Sequence, residues 1–558
     1  MRTVKANGVE YVQLAHNEWV NGRSRAQVVH GFGRKDQLDM AALRRLAQSI
    51  LRYLEPDAGR EVREEYALEP PFEFLGAKTL GGTHLLDGVW RRLGIRDAVS
   101  RMLKERGFQV PVERVLFALV AQRALAPGSK LAAEAWVAER AYIDGLAVVE
   151  SQQLYRAMDF LLEAHDEIQK EVFWSLRNLF NLEVDVIFVD TSTYFEMEGE
   201  DEAADGEDGE DGAGDESFRR RGHSKDSRPD LAQAVIGFAV TRDGIPVRCW
   251  VWPGNRVDVK LVDEVKCDLN EWKLGRVVMV MDTGFNSERN RRTLQGAGDA
   301  FILGERMRLG PNGALPEALK RPGRYKTLDS GLRIKQVTIN EGSVAARRFV
   351  VVHNPEQAER DKAKRDDIVQ ETERRLAQLE QLDGEQHTKR ACDLRAHRTF
   401  GRYVRQTKTG KLKLDKAKIA TEAKLDGKYL VSSSDDHLPA EDIVMGYKQL
   451  HEIERVNRDL KHTVDVRPVY HRRSDRIKAH VLLCWLALLL IRVTENETQR
   501  TWHQLKKTLW PLMVARHHTQ HGVISQTNNL TSEQKAVLDA LHLKAPNRYL
   551  EVPRPAKT

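Results

Sequence analysis

The sequence predicts an α/β fold, with a mixed sheet flanked by helices at the centre of a long chain. Three observations lead to this prediction. Short apolar runs such as VDVIFVD and RVVMVM have the length and composition of buried strands. Longer stretches with apolar positions three or four residues apart are typical of amphipathic helices. A chain of 558 residues is also too long for one hydrophobic core, so we expect two to four domains.

Composition restricts the class of protein. The chain has 41% hydrophobic and 30% charged residues, which is typical of a soluble globular protein, and its net charge of +6 favours an anionic partner. Four dispersed cysteines form no CxxC pair, which indicates neither a zinc module nor a disulfide framework and fits a reducing cytosol. The N-terminus lacks an apolar signal core, and the apolar run at residues 481–491 is too short to span a bilayer. We therefore expect a cytoplasmic protein with a buried helix at this run and no membrane partner.

The first third of the chain is predicted to form two units. Residues 1–60 alternate short strand-like pieces with basic residues and then enter a helix, which indicates a small β-hairpin and helix unit. Residues 61–182 are mainly helical. Within them, a turn precedes a helix that opens at Ser129, and the neighbouring Arg123, Lys130 and Arg140 are compatible with helix-turn-helix DNA binding. An ordinary helical bundle with solvated charges fits the same pattern.

Two aspartates close strongly apolar runs. VDVIFVD is predicted to be a buried strand that delivers Asp190 into a polar turn, and RVVMVM is a second strand that ends at Asp282. Between them, LAQAVIGFAV and IPVRCWVW indicate an antiparallel hairpin, and DAFILG is a short final strand. Helices are expected at residues 258–274 and 287–294. In isolation, an aspartate after a strand is more commonly a turn former or a helix cap.

A third carboxylate lies on a later helix. The sequence predicts one continuous helix over residues 447–461, and four of its side chains fall on one narrow face. These four residues are Tyr447, Leu450, Glu454 and Lys461. A carboxylate flanked by a phenol and an ammonium can hold a metal and steady a phosphate backbone. We expect Asp190, Asp282 and Glu454 to meet in one metal site.

The order of these elements identifies an architecture. Three strands, a helix, a strand ending in aspartate, a helix, a strand and a later helix bearing glutamate form the RNase H-like arrangement, here with a mixed five-stranded sheet. The chain resembles bacterial insertion-sequence DDE transposases with the signature Y-x2-R-x3-E-x6-K around the catalytic glutamate. Tyr447, Glu454 and Lys461 match this signature, and GHSKDSRPDL, MDTGF and LDGKYLVSS resemble the same group. Leu450 departs from it, because leucine stands at the arginine position and cannot bind a phosphate, and Arg458 is a candidate replacement.

The resemblance implies a metal-dependent DNA transposase. Asp190, Asp282 and Glu454 would hold two Mg²⁺ ions, for which Mn²⁺ can substitute, with Asp190 bridging both. Water would cut the transposon end, and the freed 3′-hydroxyl would attack target DNA without a covalent protein intermediate. The implied partners are terminal inverted repeats and target DNA, bound by a homodimer without a small-molecule cofactor, in the bacterial cytoplasm at the nucleoid.

Several further side chains are candidate DNA contacts. Tyr447 and Lys461 would touch the DNA backbone. His223, Lys225 and Arg228 in GHSKDSRPDL are candidates too, although a solvated connector explains this stretch equally well.

The remaining segments are arranged around the core. Residues 183–304 and 441–495 are its two parts. Residues 305–440 form an insertion domain that is β-rich with a charged helical arm, and the resemblance implies that it helps to grip the transposon end. Residues 496–558 are expected to be helical. The acidic, glycine-broken insertion at residues 196–221 is expected to be a disordered loop, either a plain solvated insertion or a mimic of a phosphate backbone.

Two other functions remain open at this point. An RNase H-like nuclease would cut DNA without joining it. A transposase-derived DNA-binding regulator would have no catalysis and would be expected to lack at least one of the three carboxylates. The sequence retains all three.

Overall fold

The computed structural model describes most of the chain. The described residues are 1–20, 23–54, 72–104, 111–180, 186–194, 218–222, 228, 230–271, 277–295, 299–307, 318–339, 347–467, 469, 471, 473–519 and 522–551. They fall into two compact units. The first unit is Met1–Gly76, Ala515–Gln526 and Tyr549–Thr558, and the second is Ala77–Val514 and Thr527–Arg548.

The described residues contain runs of strands and runs of helices. The strands are β1 (Arg2–Ala6), β2 (Val9–Val20), β3 (Arg23–Arg34), β4 (Phe72–Thr79), β5 (Val186–Tyr194), β6 (Ala234–Val240), β7 (Pro246–Pro253), β8 (Val278–Met281), β9 (Ala300–Glu305), β10 (Lys326–Thr327), β11 (Arg333–Ile339), β12 (Arg347–His353), β13 (Val404–Gln406), β14 (Leu412–Leu414), β15 (Lys428–Ser433), β16 (Met513–Thr519), β17 (Gly522–Thr527) and β18 (Tyr549–Glu551). The helices are α1 (Met40–Leu54), α2 (Gly81–Arg92), α3 (Ile95–Leu103), α4 (Val112–Leu125), α5 (Lys130–Ala135), α6 (Ser151–Phe180), α7 (Asp258–Glu271), α8 (Glu288–Gln295), α9 (Pro355–Leu379), α10 (Gly384–Ala396), α11 (Lys416–Ala423), α12 (Ala440–Lys448), α13 (Leu450–His462), α14 (Ser474–Thr498), α15 (Trp502–Leu509) and α16 (Ser532–Ala540).

The N-terminal residues form an antiparallel meander of β1, β2 and β3, followed by α1. Asn7 and Gly8 connect β1 to β2 with φ angles of 50° and 80°. Positive φ at both central residues is the backbone that a two-residue hairpin needs, which explains the Asn-Gly pair.

The C-terminal part of the chain is not helical throughout, and the expectation for residues 496–558 is wrong in this respect. Strands β16, β17 and β18 lie among its helices and share a sheet with β4, in the order β18-β17-β16-β4. Their short alternating runs gain stability only from this cross-strand pairing, which no local periodicity reveals.

Helices α2 to α6 surround a core that includes the whole of α4, in which every residue from Val112 to Ala124 is buried. Arg123 is 6% exposed and donates to the carbonyls of Gly128 and Asp465 at 2.7 and 3.3 Å. Lys130 is also 6% exposed, and its burial lowers the pKa of its ammonium to about 8. Two of the three cations of the predicted helix-turn-helix therefore lie inside the protein, whereas Arg140 is exposed.

Helix α14 is the central buried helix of the second unit. It is long and apolar enough to cross a bilayer, but 94% of its apolar stretch is buried inside the protein. It packs on α4, α6 and β7. This helix therefore belongs to the hydrophobic core, as expected for the apolar run at residues 481–491.

The central sheet is larger than predicted. Among the described residues it contains nine strands, in the order β10-β11-β12-β15-β9-β8-β5-β6-β7, instead of five. Strands β5, β8 and β9 are parallel neighbours, whereas β6 and β7 continue antiparallel from β5. Strand β15 pairs antiparallel with β9, so strands from residues 305–440 extend the core sheet. This pairing satisfies backbone groups that β9 would otherwise leave open at an edge.

Strand β5 continues beyond Asp190, so the polar turn predicted after this residue is wrong. Pairing with β6 runs on to Tyr194 opposite Ala234, and these ladder hydrogen bonds keep the polar residues extended. Asp190 is therefore an internal residue of the strand.

Residues at the end of the predicted acidic loop pack against the core. Phe218 and Arg219 are buried, and Arg220 forms a backbone bridge with Gln233, which precedes β6. Phe218 packs in a small apolar cluster with Ala234. The prediction of disorder is therefore wrong for residues 218–221, whereas the acidic block at residues 196–216 lies outside the described residues.

A charged arm lies between β12 and β15. Its first helix, α9, begins with proline after the N-cap Asn354, whose side chain accepts from the Gln357 amide at 3.3 Å. Helix α10 packs against α9. The charged helical arm expected within residues 305–440 thus consists of two helices.

Candidate active site

Two aspartates lie side by side where β5 and β8 stop pairing. The parallel ladder ends at the pair Val189 and Met281, and the next residues on the two strands are Asp190 and Asp282. Asp282 begins a short 3-10 turn, in which its Oδ1 accepts from the amide nitrogen of Thr283 at 2.5 Å. The sheet register therefore brings together two carboxylates that are far apart in sequence.

The third carboxylate comes from α13. Ile453, Val456 and Leu460 bury one side of this helix, and Glu454 is exposed beside them. Glu454 lines the same cavity as Asp190 and Asp282. This cavity has a volume of about 370 Å³. The other residues around this cavity are Leu332, Asn354, Tyr429, Tyr447, Lys448, Leu450, His451 and Ile453.

The continuous helix predicted at residues 447–461 is interrupted. Helix α12 ends at Lys448 and α13 begins at Leu450, with Gln449 in a turn between them. The poor helix former Gly446 lies just before this break. Tyr447 consequently reaches the cavity from a different helix than Glu454 does. Tyr447 and Leu450 both still line the cavity.

The Tyr447 hydroxyl supports Asp282. It donates a hydrogen bond to the Asp282 carboxylate, and burial, together with the negative charges of Asp282 and Glu454, raises the pKa of Tyr447. A side chain at Gly304 would place its Cβ 2.3 Å from this hydroxyl, so glycine leaves the space that the phenol occupies. The Tyr429 ring lies 5.9 Å away between centroids, and burial raises the pKa of Tyr429 to about 12. Tyr447 is therefore a neutral donor in a closely fitted position.

The face of α13 opposite Glu454 is held by a buried arginine. Arg492 of α14 is 1% exposed and contacts Glu452 and Glu495 at 3.0 Å each. Its Nε also donates to the carbonyl of Gly244, in the turn between β6 and β7, at 3.1 Å. Glu452 lies on α13 whereas Glu495 lies on α14 itself, so the contacts with Glu452 and Gly244 link the rear of α13 to the sheet that carries the aspartates.

Two family models match this chain. The IS1634 family transposase N-terminal domain matches residues 1–61, and the transposase DDE domain matches residues 192–490. The chain belongs to the DDE transposase family. It is a DNA transposase. The domain match begins just after Asp190 and includes both Asp282 and Glu454.

Similarity to individual known proteins is much weaker. One solved structure with a detectable likeness is the piggyBac transposase synaptic complex with hairpin DNA, at 11% sequence identity and a TM-score of 0.34. The likeness covers 76% of this chain and 79% of that chain. No curated protein matches the sequence.

The transposase has residues at this site that the sequence patterns did not single out. Asn457 donates from Nδ2 to Asp190 Oδ2 at 3.3 Å, while Tyr429 and Gly304 surround the Tyr447 phenol. Asn457 lies three residues after Glu454, so helical spacing was a usable signal for it. No local pattern distinguishes Gly304 from other glycines.

The predicted DNA contacts of the transposase are scattered. Arg458 is exposed and Lys461 is half-buried on α13, and neither is among the described residues that line the cavity. Arg228 is exposed and pairs with Asp230 at 2.8 Å. His223 and Lys225 lie outside the described residues.

The donor set of the transposase fits a divalent cation in its chemistry. Three carboxylates around one cavity supply the hard oxygen ligands that Mg²⁺ and Mn²⁺ prefer. Within the described ranges, no three His, Cys, Asp or Glu side chains converge closely enough to enclose one ion. Tyr447 and Asn457 each hold one of the two aspartates.

Proposed function

We propose that this transposase cuts DNA at terminal inverted repeats and joins the freed ends to target DNA, with Asp190, Asp282 and Glu454 as ligands of two Mg²⁺ ions. Mn²⁺ can substitute for Mg²⁺ in such an oxygen-ligand site. The observation that carries the proposal is that these three carboxylates line one cavity although they come from a strand, a turn and a helix.

The strand order supports an RNase H-like core. Strand β5 is followed by the antiparallel β6 and β7, and then by β8 and β9 on its other side, parallel to it. Helix α7 lies between β7 and β8, and α8 lies between β8 and β9. This is the arrangement in which two strand-borne aspartates and a glutamate from a later helix share one site.

The roles of the residues follow from this arrangement. Bound divalent ions would activate the attacking oxygen and stabilise the leaving oxygen of an in-line displacement. Asp190, Asp282 and Glu454 would hold these ions, and Tyr447 would keep the Asp282 carboxylate oriented by donating to it. Water as the first nucleophile and a DNA 3′-hydroxyl as the second require no covalent bond to a protein side chain.

We further assign the chain to the Y-x2-R-x3-E-x6-K signature group, in which Leu450 replaces the arginine. Leu450 is half-buried and packs against the core, so it offers no charge to a phosphate. Lys448 is exposed and lines the same cavity, which makes it a candidate for the missing cation. Arg458 and Lys461 would contact DNA farther along α13.

Joining two transposon ends requires that both be held at once. We therefore propose that a homodimer binds the two terminal inverted repeats and that the reaction takes place at the bacterial nucleoid. His223, Lys225 and Arg228 would add contacts to the DNA backbone, which are sequence-tolerant and sensitive to salt.

A cleavage and strand-transfer assay tests the function. Labelled duplexes that carry the ends of the encoding element are incubated with Mg²⁺ and target plasmid, and Glu454→Gln is compared with the parent. We expect cut and joined products from the parent and none from Glu454→Gln. The matched control Glu385→Gln changes an exposed glutamate of α10 and should keep activity. Products that persist in Glu454→Gln would refute the site, and cutting without joining would indicate a nuclease.

A further inference from the structure

Asn457 is the polar residue of α13 that contacts the strand aspartate. It is 8% exposed and is flanked on the helix by the buried Val456 and Leu460. Its Nδ2 donates to Asp190 Oδ2 at 3.3 Å. A buried amide in an apolar stripe loses solvation, so it is expected to be fully hydrogen-bonded.

Only half of this amide is paired. Asn457 Oδ1 is buried and has no hydrogen-bond partner among the described residues. An apolar side chain of similar size would fill the same space without leaving an acceptor unpaired. An asparagine at this position is therefore less stabilising than an apolar residue would be. Its paired amide nitrogen, Nδ2, contacts Asp190.

Asp190 and Asp282 are each supported by a neutral donor from a helix. Tyr447 of α12 donates to Asp282, and Asn457 of α13 donates to Asp190. A neutral donor orients a carboxylate without neutralising it, so the carboxylate keeps the negative charge that a cation requires. Hydrogen-bonded partners of this kind commonly set the affinity of a metal site.

We propose that Asn457 is a positioning residue that holds the Asp190 carboxylate for divalent cations, at the expense of an unpaired carbonyl in the core. This inference rests on the proposed function, since Asp190 must be a metal ligand for it to hold. Replacing Asn457 should therefore weaken metal binding without lowering the stability of the fold. Asn457→Leu removes the donor to Asp190 and also removes the unpaired Oδ1.

The test measures Mn²⁺ binding by electron paramagnetic resonance and urea unfolding on the same full-length proteins. We expect Asn457→Leu to raise the Kd for Mn²⁺ about 10-fold or more, with an unchanged or higher urea midpoint. The control Gln169→Leu alters another half-paired buried amide, which accepts from the Cys249 amide nitrogen at 2.7 Å and does not line the cavity. It should lower the urea midpoint and leave the Kd of the folded protein unchanged.

Three results would overturn the inference. One is an Asn457→Leu variant that binds Mn²⁺ as tightly as the parent, and another is a loss of affinity that only follows a loss of folded protein. The third comes from Asp190→Asn, which should weaken Mn²⁺ binding strongly. An unchanged Kd in Asp190→Asn would refute the metal site itself and with it the role of Asn457, whereas a weakened Asp190→Asn beside an unaffected Asn457→Leu would refute the positioning role alone.

Discussion

Replacing Arg492 by methionine should loosen the helix that carries Glu454. The guanidinium is 1% exposed and contacts Glu452, Glu495 and the Gly244 carbonyl at 3.0 to 3.1 Å. Methionine fills much of the same space, but it leaves two carboxylates and one carbonyl without their common donor. The substitution therefore tests the charge network separately from the packing.

The size of the effect follows from burial. Removing one partner of a buried ion network costs about 3–5 kcal/mol, because an uncompensated charge stays behind. Side chains of Glu452 and Glu495 are 21% and 11% exposed, so water screens them in part. We therefore expect Arg492→Met to lower the free energy of unfolding by an amount near the lower limit, about 3 kcal/mol. This corresponds to roughly a 150-fold change in the unfolding equilibrium constant.

Urea unfolding followed by tryptophan fluorescence measures this loss, since the fully buried Trp485 lies on the same helix as Arg492. The control Arg500→Met breaks the exposed pair of Arg500 with Glu533 and should cost less than about 1 kcal/mol. Adding Glu495→Gln to Arg492→Met should recover part of the loss. If Arg492→Met and Arg500→Met unfold at the same urea concentration, the network does not hold the helix and the reasoning fails.

Two further predictions concern the hydrogen bond to Asp282 and the charge of Asp459. Gly304→Ala places a Cβ 2.3 Å from the Tyr447 hydroxyl, and Tyr447→Phe removes that hydroxyl, so each should slow end cleavage about 10-fold or more without weakening DNA binding in gel shifts. Gly31→Ala, where nothing lies within 4 Å, should leave cleavage unchanged, and a loss of DNA affinity in Tyr447→Phe would instead make the phenol a DNA contact. Burial raises the pKa of Asp459 above its ordinary value of 3.8. A carboxyl group whose pKa is raised on folding contributes stability at pH values below its unfolded pKa. This contribution is lost as the pH rises through its folded pKa. Asp459→Asn should therefore gain stability over the parent between pH 4 and pH 8 in urea titrations, and a difference that does not vary with pH would contradict this.

The three carboxylates were predictable from local patterns. Asp190 and Asp282 close apolar runs with strand composition, and Glu454 lies on a helix with strong apolar spacing. Such patterns depend on residues only a few positions apart. They indicate which residues reach the end of an element, but not how far the element continues, so the extension of β5 beyond Asp190 was missed.

Errors in the prediction share one cause. The extension of the sheet by β15, the strands near the C-terminus and the break at Gln449 all depend on contacts with distant segments. A strand of a few residues is stable only beside a partner, and its sequence does not identify that partner. The buried cations Arg123 and Lys130 show the same limit, because charge alone predicts exposure.

The sequence by itself determined the three metal-binding candidates, the helix that carries Glu454 and the family resemblance, because these are encoded in local spacing and composition. The tertiary structure decided that the carboxylates share one cavity and that Tyr447 and Asn457 each hold one aspartate. It did so through the register of β5 against β8 and the packing of α13 on the sheet. Register and packing are set by the burial of many distant side chains at once, and no single stretch of sequence contains that information.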